Sequence, residues 1–387
     1  MFQGSDDMKS VTNPQYFIGL MSGTSMDGVD GVLASFEQDT LPQVQKLISL
    51  PMPDDLRQEL LSLNQAGENE LEKAALAANK LTDLYAQCCH QLLQQTGLKA
   101  DQITVIGAHG QTVRHRPDLG FTIQLNSPAR LAELTGIDVV ADFRSRDIAA
   151  GGQGAPFAPL LHHALFADPQ KTRVVLNLGG IANVTLLRPN QPLLGFDTGP
   201  ANVLMDTWIH RIFGSKFDRD GILSTCGEIQ RGFLELMLTD PYFAQAAPKS
   251  TGRDLFNEAW LDKRLDQWRD AGGFSFSLLH PDMTDILATL RALTSYSVVQ
   301  AIQRYCSHVD EVIVCGGGSK NLALMDEIRK LIQCDVKPID DYGLDCQAVE
   351  ALAFAWLAKA FVDKTPLDFP SITGSRKATI AGAWYPR

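Results

Sequence analysis

The sequence predicts an α/β protein built from two similar halves, and two repeated features carry this prediction. A β-hairpin with a turn of small residues is expected near the start of each half, at residues 16–36 and 174–187. Later in each half a short apolar strand ends in small or polar residues, at 103–112 and 311–319. A duplicated unit of this kind predicts two similar α/β domains that face a shared cleft.

The first predicted hairpin contains the sequence FIGLMSGTSMDGVD, residues 17–30. Its apolar ends form the strands, and its Gly, Ser and Thr residues form the turn. Glycines let backbone N–H groups approach an anion and hydroxyls add donors, so such a turn can bind phosphate. Asp27 and Asp30 could hold a divalent metal beside it. An ordinary hairpin turn favours the same residue types, so the residues alone leave both interpretations open.

The rest of the first half reads as strands and helices that end at Gly or Pro. The predicted elements are a strand at 44–50, helical chain at 54–96 with a break near Gly67 and Asn69, a strand at 103–108, a helix at 128–136 and a strand at 137–141. Residues 142–156 are polar and rich in glycine and are expected to form a loop. An apolar helix is expected at 157–166.

The second half repeats the hairpin and then adds more helix. Its predicted elements are strands at 174–178, 184–187, 193–196 and 311–314, and helices ending at 213, within 227–271, and at 283–305, 322–331 and 347–362. The strand at 193–196 leads into the turn DTGPAN, residues 197–202. Asp197 could project from this turn into a cleft, or it could cap the helix that follows.

Composition narrows the class of protein. Of the 387 residues, 45% are hydrophobic and 20% charged, as in soluble globular proteins. A net charge of −11 and the lack of a Lys/Arg cluster argue against a nucleic-acid partner. The N-terminus lacks the apolar core of a signal peptide, and no run of eighteen apolar residues occurs, so we expect a cytoplasmic protein with no membrane partner. The seven cysteines contain no CxxC pair, which argues against a zinc site.

The glycines at 316–318 follow a strand and precede a helix. Backbone N–H groups at such a junction can bind an anion, or a nucleoside can pack on the bare backbone. The GxGxxG spacing of a dinucleotide site is absent, which weakens a third interpretation, a nicotinamide oxidoreductase. The GxxxxGK[ST] pattern is absent as well, which excludes a P-loop kinase.

Several longer motifs resemble those of the anhydro-N-acetylmuramic acid kinase family. They are MSGTSMDGVD (21–30), GAHGQTVRHRP (107–117), QLNSPARLAELTGIDVVADFRSRDIAAGGQGAPFAP (124–159), LNLGGIANVTLL (176–187), GFDTGPAN (195–202), PKSTGRDLF (248–256) and VCGGGSKN (314–321). The resemblance covers nearly all of 16–386, and the departures are small: Ala247 and Ala201 stand where we expect Pro and Gly. Ala201 could tighten the turn beside Asp197.

The resemblance implies membership of the sugar kinase/Hsp70/actin superfamily. The fold expected is therefore α/β, a two-lobed actin-like ATPase (ribonuclease H-like) fold with duplicated lobes around a central cleft. The domains expected are a disordered tail at 1–15, an N-terminal lobe at 16–168 with the segment 363–387 packing back on it, and a C-terminal lobe at 169–362. A homodimer is also implied.

The reaction implied by the resemblance uses ATP, Mg²⁺ and water to convert 1,6-anhydro-N-acetylmuramic acid to N-acetylmuramic acid 6-phosphate and ADP, in peptidoglycan recycling. In this bicyclic sugar O6 is bonded to C1, so no free hydroxyl is available there to attack ATP. Water must add at C1 while O6 leaves and captures the γ-phosphoryl group. A carboxylate base for the water is therefore required, together with groups that stabilise the phosphate charge.

The matching motifs carry roles onto residues of this chain. Asp197 is the predicted catalytic base, and Asp27 is the predicted metal ligand. The predicted nucleotide-binding residues are Gly23, Thr24, Ser25, Met26, Asp27, Gly28, Val29, Asp30, Gly179, Gly180, Gly316, Gly317 and Gly318. The predicted sugar-binding residues are His109, Gln111, Arg130, Asp142, Arg144 and Asp147, with an arginine pairing with the lactyl carboxylate.

Plainer interpretations stand beside these roles. Any one of the arginines could form a surface ion pair, His109 could be a structural histidine, and the Gly179–Gly180 turn could be only a tight turn. The competing functional interpretation is a non-catalytic actin- or Hsp70-like ATP switch, because that fold serves both functions. The segment 142–147, rich in Asp and Arg, favours the kinase, since a switch would not need it.

Overall fold

The computed structural model describes residues 14–23, 26–37, 40–272 and 282–387, and these form two compact units. Unit 1 contains the described residues up to Gly154, together with Glu350–Leu367 and Thr379–Arg387. Unit 2 contains Ala155–Val349 and Asp368–Ala378. The tail expected at 1–15 lies outside the described residues except for its last two positions.

Unit 1 is built on a six-stranded sheet and a two-stranded hairpin. Its strands are β1 (Gln15–Met21), β2 (Gly28–Phe36), β3 (Gln43–Pro51), β4 (Ile103–Ala108), β5 (Gln111–Arg116), β6 (Phe121–Leu125), β7 (Val139–Ala141) and β13 (Ala383–Tyr385). Its helices are α1 (Asp54–Ser62), α2 (Glu70–Thr96), α3 (Pro128–Thr135), α4 (Phe143–Ala149) and, from its second residue onward, α13 (Val349–Val362).

Unit 2 contains a five-stranded sheet and most of the helices. Its strands are β8 (Arg173–Leu178), β9 (Ile181–Leu187), β10 (Leu194–Pro200), β11 (Glu311–Cys315) and β12 (Asp335–Pro338). Its helices are α5 (Ala158–Phe166), α6 (Asn202–Phe213), α7 (Ile222–Thr225), α8 (Arg231–Leu238), α9 (Pro241–Ala244), α10 (Glu258–Asp270), α11 (Asp282–Tyr305), α12 (Leu322–Ile332) and α14 (Pro370–Thr373).

The two main sheets share one topology. The order is β3–β2–β1–β4–β7 in unit 1, where β13 adds one edge strand, and β10–β9–β8–β11–β12 in unit 2. In each sheet the first three strands along the chain are antiparallel neighbours, and the next two are parallel to the first. This repetition confirms the predicted duplication and the actin-like fold class. The cleft stays a prediction.

Apolar strands and one long helix build the core of unit 1. The side chains of β1 are buried on both faces of the sheet, as its continuous apolar sequence predicts. Helix α2 packs on this sheet through a stripe of buried residues at helical spacing, including Leu81, Tyr85 and Leu92. The helix ends at Gly97, which adopts a left-handed conformation that favours glycine.

Two glycines let helix α13 lie directly against the sheet of unit 1. A β-carbon at Gly19 would lie 1.9 Å from the carbonyl oxygen of Ala351, and one at Gly107 would lie 2.1 Å from that of Phe354. Gly19 and Gly107 are partners on the adjacent strands β1 and β4. The backbone of the helix therefore occupies the space that side chains would fill.

Several elements differ from the sequence predictions. Residues 142–156 were expected to be a loop, but they contain α4, which is too short for a clear helical period in the sequence. The polar hairpin β5–β6 and the short strand β12 were also missed. The helical region 227–271 is interrupted, because α9 starts at a proline and the chain is then non-helical until α10. In the described part of the chain, no helix has the length and apolarity needed to cross a membrane.

The close approach of α13 gives a stability prediction. Gly107→Ala should lower the free energy of unfolding by about 1–3 kcal/mol, because the added methyl group meets backbone that cannot move aside. Gly67→Ala is the matched control, since no atom lies within 4 Å of its added carbon. Urea unfolding of both variants checks this. Equal midpoints for the two would contradict the packing argument.

Candidate active site

The first predicted phosphate loop lies in unit 1 between β1 and β2. The Met26 N–H donates to the carbonyl of Gly23 over 3.1 Å, and Met26 is buried with φ at +54°. Thr24 and Ser25 lie outside the described residues. Gly28 must be small, because a β-carbon there would lie 2.4 Å from the carbonyl oxygen of Leu50. The described residues on either side of the predicted turn, Gly23 and Met26, are therefore held close together.

The two aspartates of this loop have different surroundings. The side chain of Asp27 is 77% exposed, and its carboxylate lies 3.7 Å from the guanidinium of Arg57. The carboxylate of Asp30 accepts a hydrogen bond from the Ser49 hydroxyl over 2.5 Å. The carboxyl group of Glu350, on α13, has its pKa raised by desolvation and then by the negative charge of Asp30. The charge of Asp30 therefore acts on Glu350 within unit 1.

Two of the predicted sugar-binding residues, His109 just after β4 and Arg144 at the start of α4, meet in a buried contact. The Nε2 atom of His109 lies 2.9 Å from Nε of Arg144, which donates to it, and Arg144 also donates to the carbonyl of Gly154. Burial and the charge of Arg144 hold the pKa of His109 well below its usual value. His109 is therefore neutral and holds the Arg144 guanidinium in a fixed orientation.

The side chains of Gln111 and Asp147, which lie close in sequence to His109 and Arg144, each accept a buried hydrogen bond. The carbonyl oxygen of the Gln111 side chain accepts a hydrogen bond from the Ser22 hydroxyl over 2.5 Å, which links β5 to the first loop. The Asp147 carboxylate accepts from the N–H of Gly154, the same residue that binds Arg144. Four predicted sugar-binding residues thus share one region of unit 1.

The other two predicted sugar-binding residues, Arg130 and Asp142, bind other partners within unit 1. Arg130 forms an ion pair with Asp83 over 2.8 Å, and both side chains are largely exposed. Asp142 precedes α4 with φ at +59°, and its carboxylate accepts from the hydroxyl of Tyr385. The structure therefore does not bring these two side chains into the His109–Arg144 contact.

Asp197 lies in the middle of β10 in unit 2, and its carboxylate is held at one oxygen. Oδ2 accepts hydrogen bonds of 2.9 Å from the Ser250 hydroxyl and 2.9 Å from the Thr251 N–H. Within the described residues, no protein group binds Oδ1. Burial raises the pKa of this carboxyl above its usual value, and the two hydrogen bonds oppose that shift. Asp197 can thus accept a proton at Oδ1 without losing its orientation.

The helix-cap interpretation of Asp197 is wrong. Helix α6 begins at Asn202, and its N-cap position is Ala201. Asp197 is instead paired within the sheet, opposite Asn183 of β9. Ser250 and Thr251 belong to one of the matching motifs, but the sequence predicts no role for them. Their contact with Asp197 spans more than fifty residues of chain, so no local pattern reveals it.

The two other predicted glycine turns pack together in unit 2. The carbonyls of Gly179 and Gly180 accept hydrogen bonds from the first N–H groups around α6. Gly316 has φ at +81°, and a β-carbon at Gly318 would lie 2.6 Å from the side chain of Leu178. Since bulkier residues would not fit there, the two turns and the start of α6 form one compact surface of bare backbone.

A cavity of about 460 Å³ opens beside these turns within unit 2. Its lining is Asn202, Met205, Asp206, Phe217, Asp218, Arg219, Asp220, Gly317, Gly318, Lys320, Asn321 and Gln347. A volume of this size suits a nucleoside. Of the predicted residues only Gly317 and Gly318 line it. Asn202, Met205 and Asp206 come from α6, and most of the other lining residues come from irregular segments that show no periodic pattern.

Asp206 lines this cavity, and the pKa of its carboxyl group is raised. Burial raises its pKa to about 6, and the positive charge of Arg253 limits the rise. A carboxyl whose pKa is higher in the folded state than in the unfolded chain stabilises the fold at low pH. That contribution is lost as the pH rises through about 6.

Asp206→Asn should therefore stabilise the chain at neutral pH. A pKa shift of about two units corresponds to roughly 2.7 kcal/mol, and partial exposure reduces the expected gain to about 1 kcal/mol at pH 7.5. At pH 4.5 the gain should fall to less than half. Thermal unfolding at both pH values checks this. A gain that is independent of pH would contradict the assignment.

Known proteins similar to this chain identify its family. The family model for anhydro-N-acetylmuramic acid kinase matches residues 15–387. The chain is 56% identical over 371 residues to the anhydro-N-acetylmuramic acid kinase of Bordetella parapertussis, covering 96% of each chain. It is 53% identical over 376 residues to that of Bordetella petrii, covering 97% of each. A solved structure, the activator of the 2-hydroxyisocaproyl-CoA dehydratase from Clostridium difficile with bound ADPNP, matches 91% of this chain and 97% of its own, with 13% identity and a TM-score of 0.45. The family match and the two similar kinases show that the chain belongs to the anhydro-N-acetylmuramic acid kinase family.

Proposed function

We propose that the chain uses ATP and water to open 1,6-anhydro-N-acetylmuramic acid and phosphorylate it at O6, giving N-acetylmuramic acid 6-phosphate and ADP in peptidoglycan recycling. The observation that carries the proposal is the carboxylate of Asp197, which is fixed at Oδ2 and has no hydrogen-bond partner at Oδ1 among the described residues. Family membership supplies the substrate class. A switch protein would not require a carboxylate prepared for proton transfer.

Asp197 is the proposed general base. Its Oδ1 takes a proton from a water molecule as the water oxygen bonds to C1 of the sugar. The C1–O6 bond breaks, and O6 takes the γ-phosphoryl group as the bond to ADP breaks. The raised pKa of Asp197 suits this role, because a base is most effective when its pKa approaches the working pH.

The nucleoside is proposed to occupy the cavity beside Gly317 and Gly318. The bare backbone of the glycine turns of unit 2 lets phosphate groups approach closely, and the dipole of α6 favours negative charge near the start of that helix. The loop at Gly23–Asp30 stays a prediction as a phosphate loop.

Asp27, Asp30 and Glu350 are the acidic candidates in unit 1 for the predicted Mg²⁺. The raised pKa of Glu350 reflects in part the nearby charge of Asp30, and a divalent cation would relieve that repulsion. Mg²⁺ typically binds one or two carboxylates together with water and phosphate oxygens. We propose that Asp30 and Glu350 hold it, with Asp27 as a further carboxylate. When bound, the ion would neutralise phosphate charge during transfer.

The sugar is proposed to bind at His109, Gln111, Arg144 and Asp147. A guanidinium held by a neutral histidine suits the lactyl carboxylate, because its direction is fixed before the substrate arrives. Arg130 and Asp142 are weaker candidates, since each already has a partner elsewhere. The homodimer and the cytoplasmic location stay predictions.

Asp197→Asn tests the proposed function. Removing a general base costs about a hundredfold to ten-thousandfold in rate, so turnover should fall by at least that much. Ring opening and phosphorylation should be lost together, because water attack and O6 departure are linked. The melting temperature should stay close to that of the parent, since Asn can still accept the Thr251 hydrogen bond. Sugar-phosphate formation and thermal unfolding are the measurements.

The matched control is Asp262→Asn, an exposed aspartate that pairs with Arg211. It should keep the parent rate. A stable Asp197→Asn protein that turns over within threefold of the parent would show that the base lies elsewhere. ATP hydrolysis by the parent that does not respond to added anhydro-sugar would favour the switch interpretation.

A further inference from the structure

The hydroxyl of Thr251 is buried and has no hydrogen-bond partner among the residues that the structure describes. Buried polar groups are nearly always paired, so an unpaired one requires an explanation. Thr251 differs from the other residues with such atoms in one respect. Its backbone N–H binds the proposed catalytic carboxylate directly, over 2.9 Å.

The local geometry places this hydroxyl beside Asp197. The hydroxyl oxygen is three bonds from its own amide nitrogen, so the two atoms are within about 4 Å of each other. That nitrogen donates to Oδ2 of Asp197, and Oδ1 has no protein partner in the described chain. An unpaired hydroxyl and an unpaired carboxylate oxygen therefore lie on neighbouring groups.

The loop that carries Thr251 is firmly anchored. The carbonyl of Gly252 accepts hydrogen bonds from the N–H groups of Leu255 and Phe256, and the Phe256 side chain is fully buried. The Asn257 side chain donates to the carbonyl of Arg253 and caps α10. On the preceding side the carbonyl of Lys249 accepts from the Asp197 N–H, so both ends of the loop are held and Thr251 keeps its place beside the carboxylate.

We propose that the Thr251 hydroxyl orients the attacking water. A water molecule there would donate one hydrogen to Oδ1 of Asp197 and the other to the Thr251 hydroxyl oxygen, which leaves a lone pair for C1. The first hydrogen passes to Asp197 as a proton while the bond between the water oxygen and C1 forms. The second hydrogen stays on the product hydroxyl. A buried water needs two or more polar partners, and these two groups supply them. The inference rests on the proposed function and adds a residue to its site.

Thr251→Val tests the inference, because valine keeps the shape and removes only the hydroxyl. The kcat should fall about tenfold to a hundredfold, the usual cost of a misplaced reacting group. The KM for ATP should change little, and Thr251→Ser should restore most of the rate. The melting temperature of Thr251→Val should be unchanged or higher, since an unpaired buried hydroxyl is lost.

Thr289→Val is the matched control. Its buried hydroxyl is paired, donating to the carbonyl of Asp285 and accepting from the Gln230 N–H. This variant should lose thermal stability and keep its kcat, the reverse of the result at Thr251. Thr251→Ala supplies a second variant without the hydroxyl in case valine does not fold.

Two results would overturn the inference while the proposed function stands. One is a Thr251→Val enzyme within threefold of the parent kcat when Asp197→Asn is inactive. The other is a Thr251→Ser enzyme as slow as Thr251→Val, since the hydroxyl would then not matter. A parent chain that makes no sugar phosphate would overturn the proposed function and this inference together.

Discussion

Asp197 is held through its backbone N–H, its backbone carbonyl and one carboxylate oxygen, by contacts from a single region of unit 2. Its N–H donates to the carbonyl of Lys249, its carbonyl accepts from the Tyr242 hydroxyl, and Oδ2 receives the hydrogen bonds from Ser250 and Thr251. These contacts come from α9 and from the chain that leads into α10. A carboxylate held in this way loses little freedom when it acts, which is the condition for effective proton transfer.

Close backbone packing is the second constraint on this chain. In unit 1 two strand glycines admit the backbone of α13, and in unit 2 glycines bring two turns against the start of α6. These two uses of glycine differ in consequence. A methyl group added at Gly107 should destabilise the fold, whereas side chains at the turns of unit 2 would also cover the surface proposed for phosphate.

The sequence predicts most of the fold because its signals are local. Both hairpins, the break between α1 and α2, and the ends of α3 at Ser127 and Gly136 follow from short patterns of apolar residues, Gly and Pro. Helix α4 and strand β12 were missed because each is too short to show a period. The hairpin β5–β6 was missed because its residues are largely polar.

The candidate site is predicted less completely, for a physical reason. Asp197 and the glycine turns belong to short motifs, so the neighbouring residues in the sequence are enough to identify them as candidate site residues. The residues that fix Asp197 lie on a loop more than fifty positions away, and only folding brings them together. The sequence around Arg130 and Arg144 does not show which of them binds where. In the structure Arg130 forms a surface ion pair, and Arg144 donates to a buried histidine.

The pH dependence of kcat in Ser250→Ala, at saturating ATP and sugar, tests the role of Asp197 most directly. The Ser250 hydroxyl stabilises the charged carboxylate and thus lowers the pKa of Asp197, so its removal should raise that pKa. The acidic limb of the kcat profile should move to higher pH by about one unit, the size expected for a hydrogen bond to a charged group. The rate on the alkaline side should stay near that of the parent. An acidic limb that does not move, or that moves to lower pH, would contradict the assignment of Asp197 as the base.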